Sequence, residues 1–232
     1  MAVARTALCL FGLLFLFASC NATVTLEELA GTWKGECEVF PEGGSGVSYV
    51  TFKTEPLEYE LHIESFLSFD CNGMVAAYYD EGGNDSSFVE TDFDFGSDSD
   101  LAEEGQVYEF NNTLTYRTMT ALHELARGRF MNSECFEEEL PLNEAIDVLD
   151  LVCLDLRLDC LDHVLKQILQ VQRDENDDVV QIRFGFEGVY DLCQIPRPIE
   201  LGVAYTRYTP SESSDSEDGD GSGALSLKPF VL

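Results

Sequence analysis

The 232-residue chain carries 44 acidic residues against 13 lysines and arginines, a formal net charge of −31 at pH 7, and 45% of its residues are hydrophobic. Without a basic face to displace counterions the chain is excluded from non-specific nucleic-acid binding, and its charge disfavours docking on anionic membranes. The same charge favours solubility and weak association with cations such as calcium or with basic proteins, while the roughly 210 residues that follow the opening segment suit one large β domain or two small ones.

The chain opens with Arg5, an apolar run from Leu8 to Phe17 and the small residues Ala18, Ser19 and Cys20. That order is a secretory signal, and the run is shorter than the roughly 20 apolar residues a spanning helix needs. Residues 1–20 are therefore read as a signal peptide, cleaved after Cys20 or Ala22, with no transmembrane segment after it. Phe17-Ala18-Ser19-Cys20 also resembles a bacterial lipobox, which gives lipid anchoring at Cys20 as the alternative to a soluble secreted protein.

Export changes how the cysteines read. Cys37, Cys71, Cys135, Cys153, Cys160 and Cys193 remain after cleavage, an even number that in an oxidising compartment implies disulfides. No Cys-x-x-Cys occurs and His62, His123 and His163 are scattered, so no metal site is expected. Cys153 and Cys160 flank the alternating Leu154–Asp159. On one strand they would face opposite sides roughly 23 Å apart, beyond the reach of about 7 Å for a disulfide, so they should pair elsewhere. Asn21, Asn84 and Asn111 each begin an Asn-x-Ser/Thr sequon.

In chain order, Thr25–Leu29 predicts one helical turn, followed by strands at Trp33–Phe40 and Val47–Thr54. Residues 57–69 alternate apolar and acidic positions, a long half-buried strand with one solvated face. Met74–Tyr79 is next, then a turn at Asp80–Asp85 and a weaker strand at Phe88–Phe95. Gln106–Phe110 and Thr113–Thr120 predict a hairpin around Asn111-Asn112, and Arg129–Glu137 a further strand. Thr120–Arg127 and Asn143–Leu149 are short and ambiguous. Lys166–Arg173 and Val179–Glu187 form the clearest hairpin, closed by Asp174–Asp178, and Ile199–Tyr208 is the last strand. So many strands without helical crossovers argue an all-β antiparallel barrel or sandwich over residues 21–208. The Ser/Asp/Glu/Gly-rich tail, 209–232, has nothing to bury and is expected to be disordered.

Gly31-Thr32-Trp33, just after the helical turn and at the start of the first strand, resembles the Gly-x-Trp opening of the lipocalins and of the wider calycin superfamily. The resemblance implies an up-and-down barrel closed at one end by Trp33. An arginine from a late strand would lie across its ring, with Arg183 and Arg207 as candidates; the physics is a guanidinium stacked on a flat ring. It further implies a carrier whose cavity takes a small hydrophobic ligand. Trp33 and the odd-numbered Tyr59, Leu61, Ile63 and Leu67 would line that cavity, although the same pattern fits a solid core.

No Gly-x-Ser-x-Gly elbow, His-Glu-x-x-His, phosphate loop or dinucleotide fingerprint occurs, so no catalytic residue and no cofactor is assigned. A bilin-lyase-like activity is the enzyme reading closest to this fold. The competing reading is an acidic extracellular matrix or mineral-associated protein that binds calcium weakly through surface carboxylates.

Overall fold

A computed structural model describes residues 24–40, 43–54, 57–90, 106–132, 135–136, 139–151, 163–186 and 200–209. The signal segment, the Cys153–Cys160 stretch, Asn21, Cys193 and the acidic tail lie outside the described residues.

The chain folds as α1 (Leu26–Leu29), β1 (Gly31–Gly35), β2 (Glu38–Val39), β3 (Ser45–Thr54), β4 (Leu57–Phe66), β5 (Val75–Glu90) and β6 (Gln106–Ala121). It continues with α2 (Glu124–Met131), β7 (Ala145–Asp147), β8 (Val164–Arg173), β9 (Val179–Phe186) and β10 (Glu200–Arg207). Leaving out the short β2 and β7, eight strands pair antiparallel, each with the next in sequence, and β1 pairs with both β10 and β3. The result is a closed up-and-down β-barrel, which leaves no unpaired edge along its wall. β2 and β7 add short ladders to β3 and β6.

β4 shows how the alternation drives closure. Tyr59 is buried and Leu61 packs against the main apolar cluster, while Glu58, Glu60, His62 and Glu64 occupy the opposite face. The ladder carries this choice from strand to strand, because directly paired residues share a face: Val50, Leu61, Glu81 and Arg117 lie in one cross-strand row.

Two predicted turns are absent. Asp80–Asp85 and Asn111-Asn112 run inside the continuous strands β5 and β6. The glycine pair that suggested a turn instead serves a β-bulge: the β5–β6 register shifts between Gly82 and Gly83 and again between Asn84 and Ser87. A Cβ on Gly83 would lie 2.0 Å from Thr113 O and 2.1 Å from Asn112 Oδ1, so only glycine lets the strands approach here. Of the strand expected at Arg129–Glu137, Arg129–Met131 instead end α2, and residues 133, 134 and 137 lie outside the described residues. Asn143–Leu149 contains β7 rather than a helix.

The main core fills one half of the barrel: Trp33, Val50, Phe52, Tyr59, Tyr108 and Phe110 pack with Leu165, Leu169, Val171, Ile182 and Tyr205. At the other half, α2 and the strap of residues 139–151 pack over the ends of β5 and β6, with Met119 and Val148 buried among Tyr79, Phe130, Phe136 and Ile146. A disulfide joins Cys37, just after β1, to Cys71, in the turn after β4, across a Cα–Cα distance of 5.8 Å. Cys135 is disulfide-bonded as well, and its partner lies outside the described residues.

Candidate functional site

The closed end of the barrel is built from the chain's opening. Thr25 caps α1 through its hydroxyl and the Glu28 backbone N–H, and the Glu28 carboxylate accepts from the Thr25 backbone N–H at 2.7 Å. The capped turn brings the Leu29 carbonyl to Trp33, whose Nε1 donates to it at 2.8 Å while the ring is fully buried. The guanidinium of Arg207 lies 4.3 Å from the Trp33 ring centroid and donates to the carbonyls of Glu28 and Ala30. Gly31 sits at φ +110°, and a Cβ there would lie 3.3 Å from Arg207 Nη1. Gly31, Trp33 and Arg207 thus form one closure. Arg183 is not part of it. It alternates with Ile182 and Phe184, both packed in the core, and so occupies the outer face of β9.

An ion pair also braces this end. Arg173 Nη1 donates to Glu28 Oε1 at 3.1 Å and to the Asp177 carbonyl at 2.8 Å. Although burial opposes it, hydrogen bonding to Arg173 and Thr25 holds the Glu28 carboxyl below its ordinary range. A surface cleft of about 250 Å³ lies beside the pair, lined by Glu27, Glu28, Asp177, Asp178, Val179 and Arg207.

The inner face of the barrel is the candidate binding site. Phe52 is its hub, with ring centroids of Tyr59, Phe88, Phe110 and Phe184 between 5.9 and 6.3 Å away. Tyr205 meets Phe184 edge-on at 5.6 Å and holds Ser48 through its hydroxyl at 2.8 Å. Of the expected lining residues, Trp33 and Tyr59 are fully within the core, and Leu61 packs against it half-buried. Ile63 is half-buried on the same face of β4, opposite Ser48 and Tyr79. Leu67 is a correction: it packs with Ala76, Ala77, Ala126 and Phe130 under α2. The β4–β5 register shifts between Ser65 and Phe66, which buries Phe66 and ends the odd-numbered series before Leu67.

The inner face also carries charge, at residues the sequence pattern did not single out. Arg117 and Glu81 are cross-strand partners, with side chains 2% and 5% exposed. Arg117 Nε and Nη2 donate to Glu81 Oε2 at 3.2 and 3.0 Å, and the Tyr79 hydroxyl donates to the same oxygen at 2.7 Å. The available signal was Arg117 itself, a scarce cation amid the apolar and threonine positions of a strand, whereas Glu81 was hidden in a stretch that reads as a turn. Among the described residues no group of three or more His, Cys, Asp or Glu is placed to hold a metal ion, and no helix is long and apolar enough to cross a membrane.

The outer face bears a polar aromatic row. His62 Nδ1 lies 2.6 Å from Asp80 Oδ1, and its ring is flanked by Tyr49 and Tyr78. The hydrogen bond to Asp80, opposed by burial and reinforced by the charges of Asp80 and Glu64, raises the His62 pKa. Burial and the neighbouring Glu64 push the Tyr49 hydroxyl up to about 12.

No protein-family model matches the chain, and neither does any curated protein.

Proposed function

We propose that this is a secreted carrier that holds a small hydrophobic ligand inside its barrel, and that its role is binding rather than catalysis. One observation carries the reading. Leu61, Ile63, Phe88, Phe184 and Val203 belong to the inner face by alternation and core packing, yet all remain only half-buried. A barrel filled by its own side chains would cover them; aromatic and aliphatic surface left open on the inner wall suits an apolar guest. Two further features support the reading: the Trp33–Arg207 closure, which is the arrangement that the lipocalin resemblance implies, and the Cys37–Cys71 disulfide, which fits an oxidising destination.

The test is the intact mass of the unreduced protein taken from its native secretion, measured under native and then denaturing conditions. The expected result is a small-molecule mass that is lost on denaturation. A bare polypeptide that takes up several calcium ions and leaves Nile red fluorescence unchanged would overturn the carrier and favour the acidic calcium-binding reading.

A further inference from the structure

We infer that Asn84 carries an N-linked glycan on the outer wall of the barrel, that Asn111 carries none, and that the innermost sugar lies against Tyr116. This rests on the secreted part of the proposed function and stands apart from the ligand.

The sequons Asn84-Asp85-Ser86 and Asn111-Asn112-Thr113 meet on neighbouring strands, where Asn84 pairs with Thr113 and Ser87 with Asn111. Both have the acceptor sequence, so the fold decides which asparagine can bear a bulky substituent. Asn84 lies on the outer face of β5: its β4 partner is Glu58, whereas the adjacent Gly83 pairs with buried Tyr59. The bulge that follows leaves Asp85 and Ser86 without partners on β6. Asp85 takes φ +57°, Asn84 and Asp85 are exposed, and Ser86 is buried with its hydroxyl accepting from Asn112 Nδ2 at 2.9 Å. The Asn84 carboxamide makes no hydrogen bond among the described residues, so a sugar on its Nδ2 leaves every described contact of the barrel in place. Asn111 differs. It is half-buried and its Nδ2 faces Ser87 Oγ at 3.5 Å, so a sugar on that nitrogen displaces a neighbour on β5.

The transfer forms a bond between Asn84 Nδ2 and the anomeric carbon of a polyprenyl-diphosphate-linked oligosaccharide. It breaks the bond from that carbon to the phosphate oxygen and releases the polyprenyl diphosphate and one amide proton.

Tyr116 supplies the surface on which the sugar rests. It pairs with Gly82, which shares the outer face of β5 with Asn84. The Tyr116 ring occupies the space a side chain on Gly82 would take: a Cβ there would lie 2.5 Å from Tyr116 Cε1 and 2.6 Å from Cζ. The residue is 38% exposed, so beside Asn84 an aromatic face is open to the apolar face of the first sugar.

The full chain is taken from its native secretion and treated with peptide-N-glycosidase in heavy-oxygen water, which leaves a labelled aspartate wherever a glycan was attached. Peptide mass mapping is expected to find the label at Asn84 and none at Asn111. Asn84→Gln, expressed as the full chain in a eukaryotic secretory host, is expected to abolish the loss of mass that the enzyme causes. It alters an exposed carboxamide without hydrogen bonds, so it should fold as the parent does. Trimmed to its innermost sugar, the glycosylated protein is expected to melt about 2 °C above Asn84→Gln, and Tyr116→Thr is expected to remove that gain. Label at Asn111, alone or together with Asn84, overturns the choice between the two sequons. A secreted chain with no label overturns the glycan and leaves secretion standing. No gain in the parent, or a gain that persists with Tyr116→Thr, overturns the contact with Tyr116. A chain kept inside the cell with residues 1–20 still attached overturns the secreted reading, and this inference with it.

Discussion

Arg207 crosses the barrel end to cover Trp33, its guanidinium carbon 4.3 Å from the ring centroid, and the same group donates to the carbonyls of Glu28 and Ala30. Residues at the two ends of the described chain are thereby joined: α1 and β1 are fastened to β10 by one side chain. The cation–π contact and the two charged hydrogen bonds act on the same guanidinium, which binds planar and dispersed acceptors better than an ammonium could.

Arg207→Met is therefore expected to cost about 2 kcal/mol, most of it from the hydrogen bonds to Glu28 and Ala30 and the remainder from the cation–π contact. Arg207→Lys should recover less than half of that loss. Arg183→Met, on the outer face of β9, should change stability by less than about 0.5 kcal/mol. Urea unfolding midpoints with a common slope measure all three, and equal losses at Arg183 and Arg207 would refute the assignment of the closure to Arg207.

The Cys37–Cys71 bond closes a loop with a sequence separation of 34. Replacing both cysteines by alanine should cost about 3–4 kcal/mol through the added freedom of the unfolded chain. The loss should appear as a lower melting temperature with unchanged far-ultraviolet circular dichroism. A melting temperature matching the parent protein would show that the turn after β4 is held by its other contacts, such as Ser45 Oγ with the Cys71 backbone N–H at 2.8 Å.

How much of this could be read in advance differs between levels. Strand alternation in 57–66 is a local pattern, and the inner face of β4 follows from it, whereas the closing role of Trp33 was legible only through the resemblance of Gly31-x-Trp33 to the lipocalin opening. The lengths of β5 and β6 follow from no local pattern. Gly82-Gly83 and Asn111-Asn112 carry turn chemistry, and only the neighbouring strand decides that the glycines serve a bulge, where Gly83 admits the Thr113 carbonyl. Leu67 fails for a related reason, because a single register shift after Ser65 breaks the period of two. The Glu81–Arg117 pair was illegible because a buried charge becomes tolerable only once its partner on another strand is placed.

His62 gives the barrel's outer face a pH dependence. Its pKa is raised by the hydrogen bond to Asp80 and by the charges of Asp80 and Glu64, against the opposing effect of burial. For a histidine raised in the folded state, the stabilisation is fully present below the unfolded pKa of about 6.5 and is lost as pH rises through the folded value. Stability should therefore decline upward from about pH 6.5. The side chain is 38% exposed, so solvent screening limits the loss to about 0.5 kcal/mol. Imidazole NMR should place the His62 midpoint above that of an unstructured histidine, and His62→Asn should flatten this part of the pH–stability curve. A His62 midpoint at or below the ordinary value would rule the mechanism out.

Glu81 and Arg117 should behave as one unit. Glu81→Gln removes the anion that Arg117 meets on β5, and Arg117→Met removes the cation that Glu81 meets on β6, so each single change is expected to cost about 3–5 kcal/mol. Glu81→Met/Arg117→Met removes both charges and keeps apolar volume where Tyr79, Leu61 and Met119 are neighbours, so it should cost well below the sum of the single changes and lie within about 1–2 kcal/mol of the parent protein. Denaturant midpoints across the cycle give the coupling energy. Additive single losses would mean that the two side chains are stabilised independently and that the pair does not set the electrostatics of the inner wall.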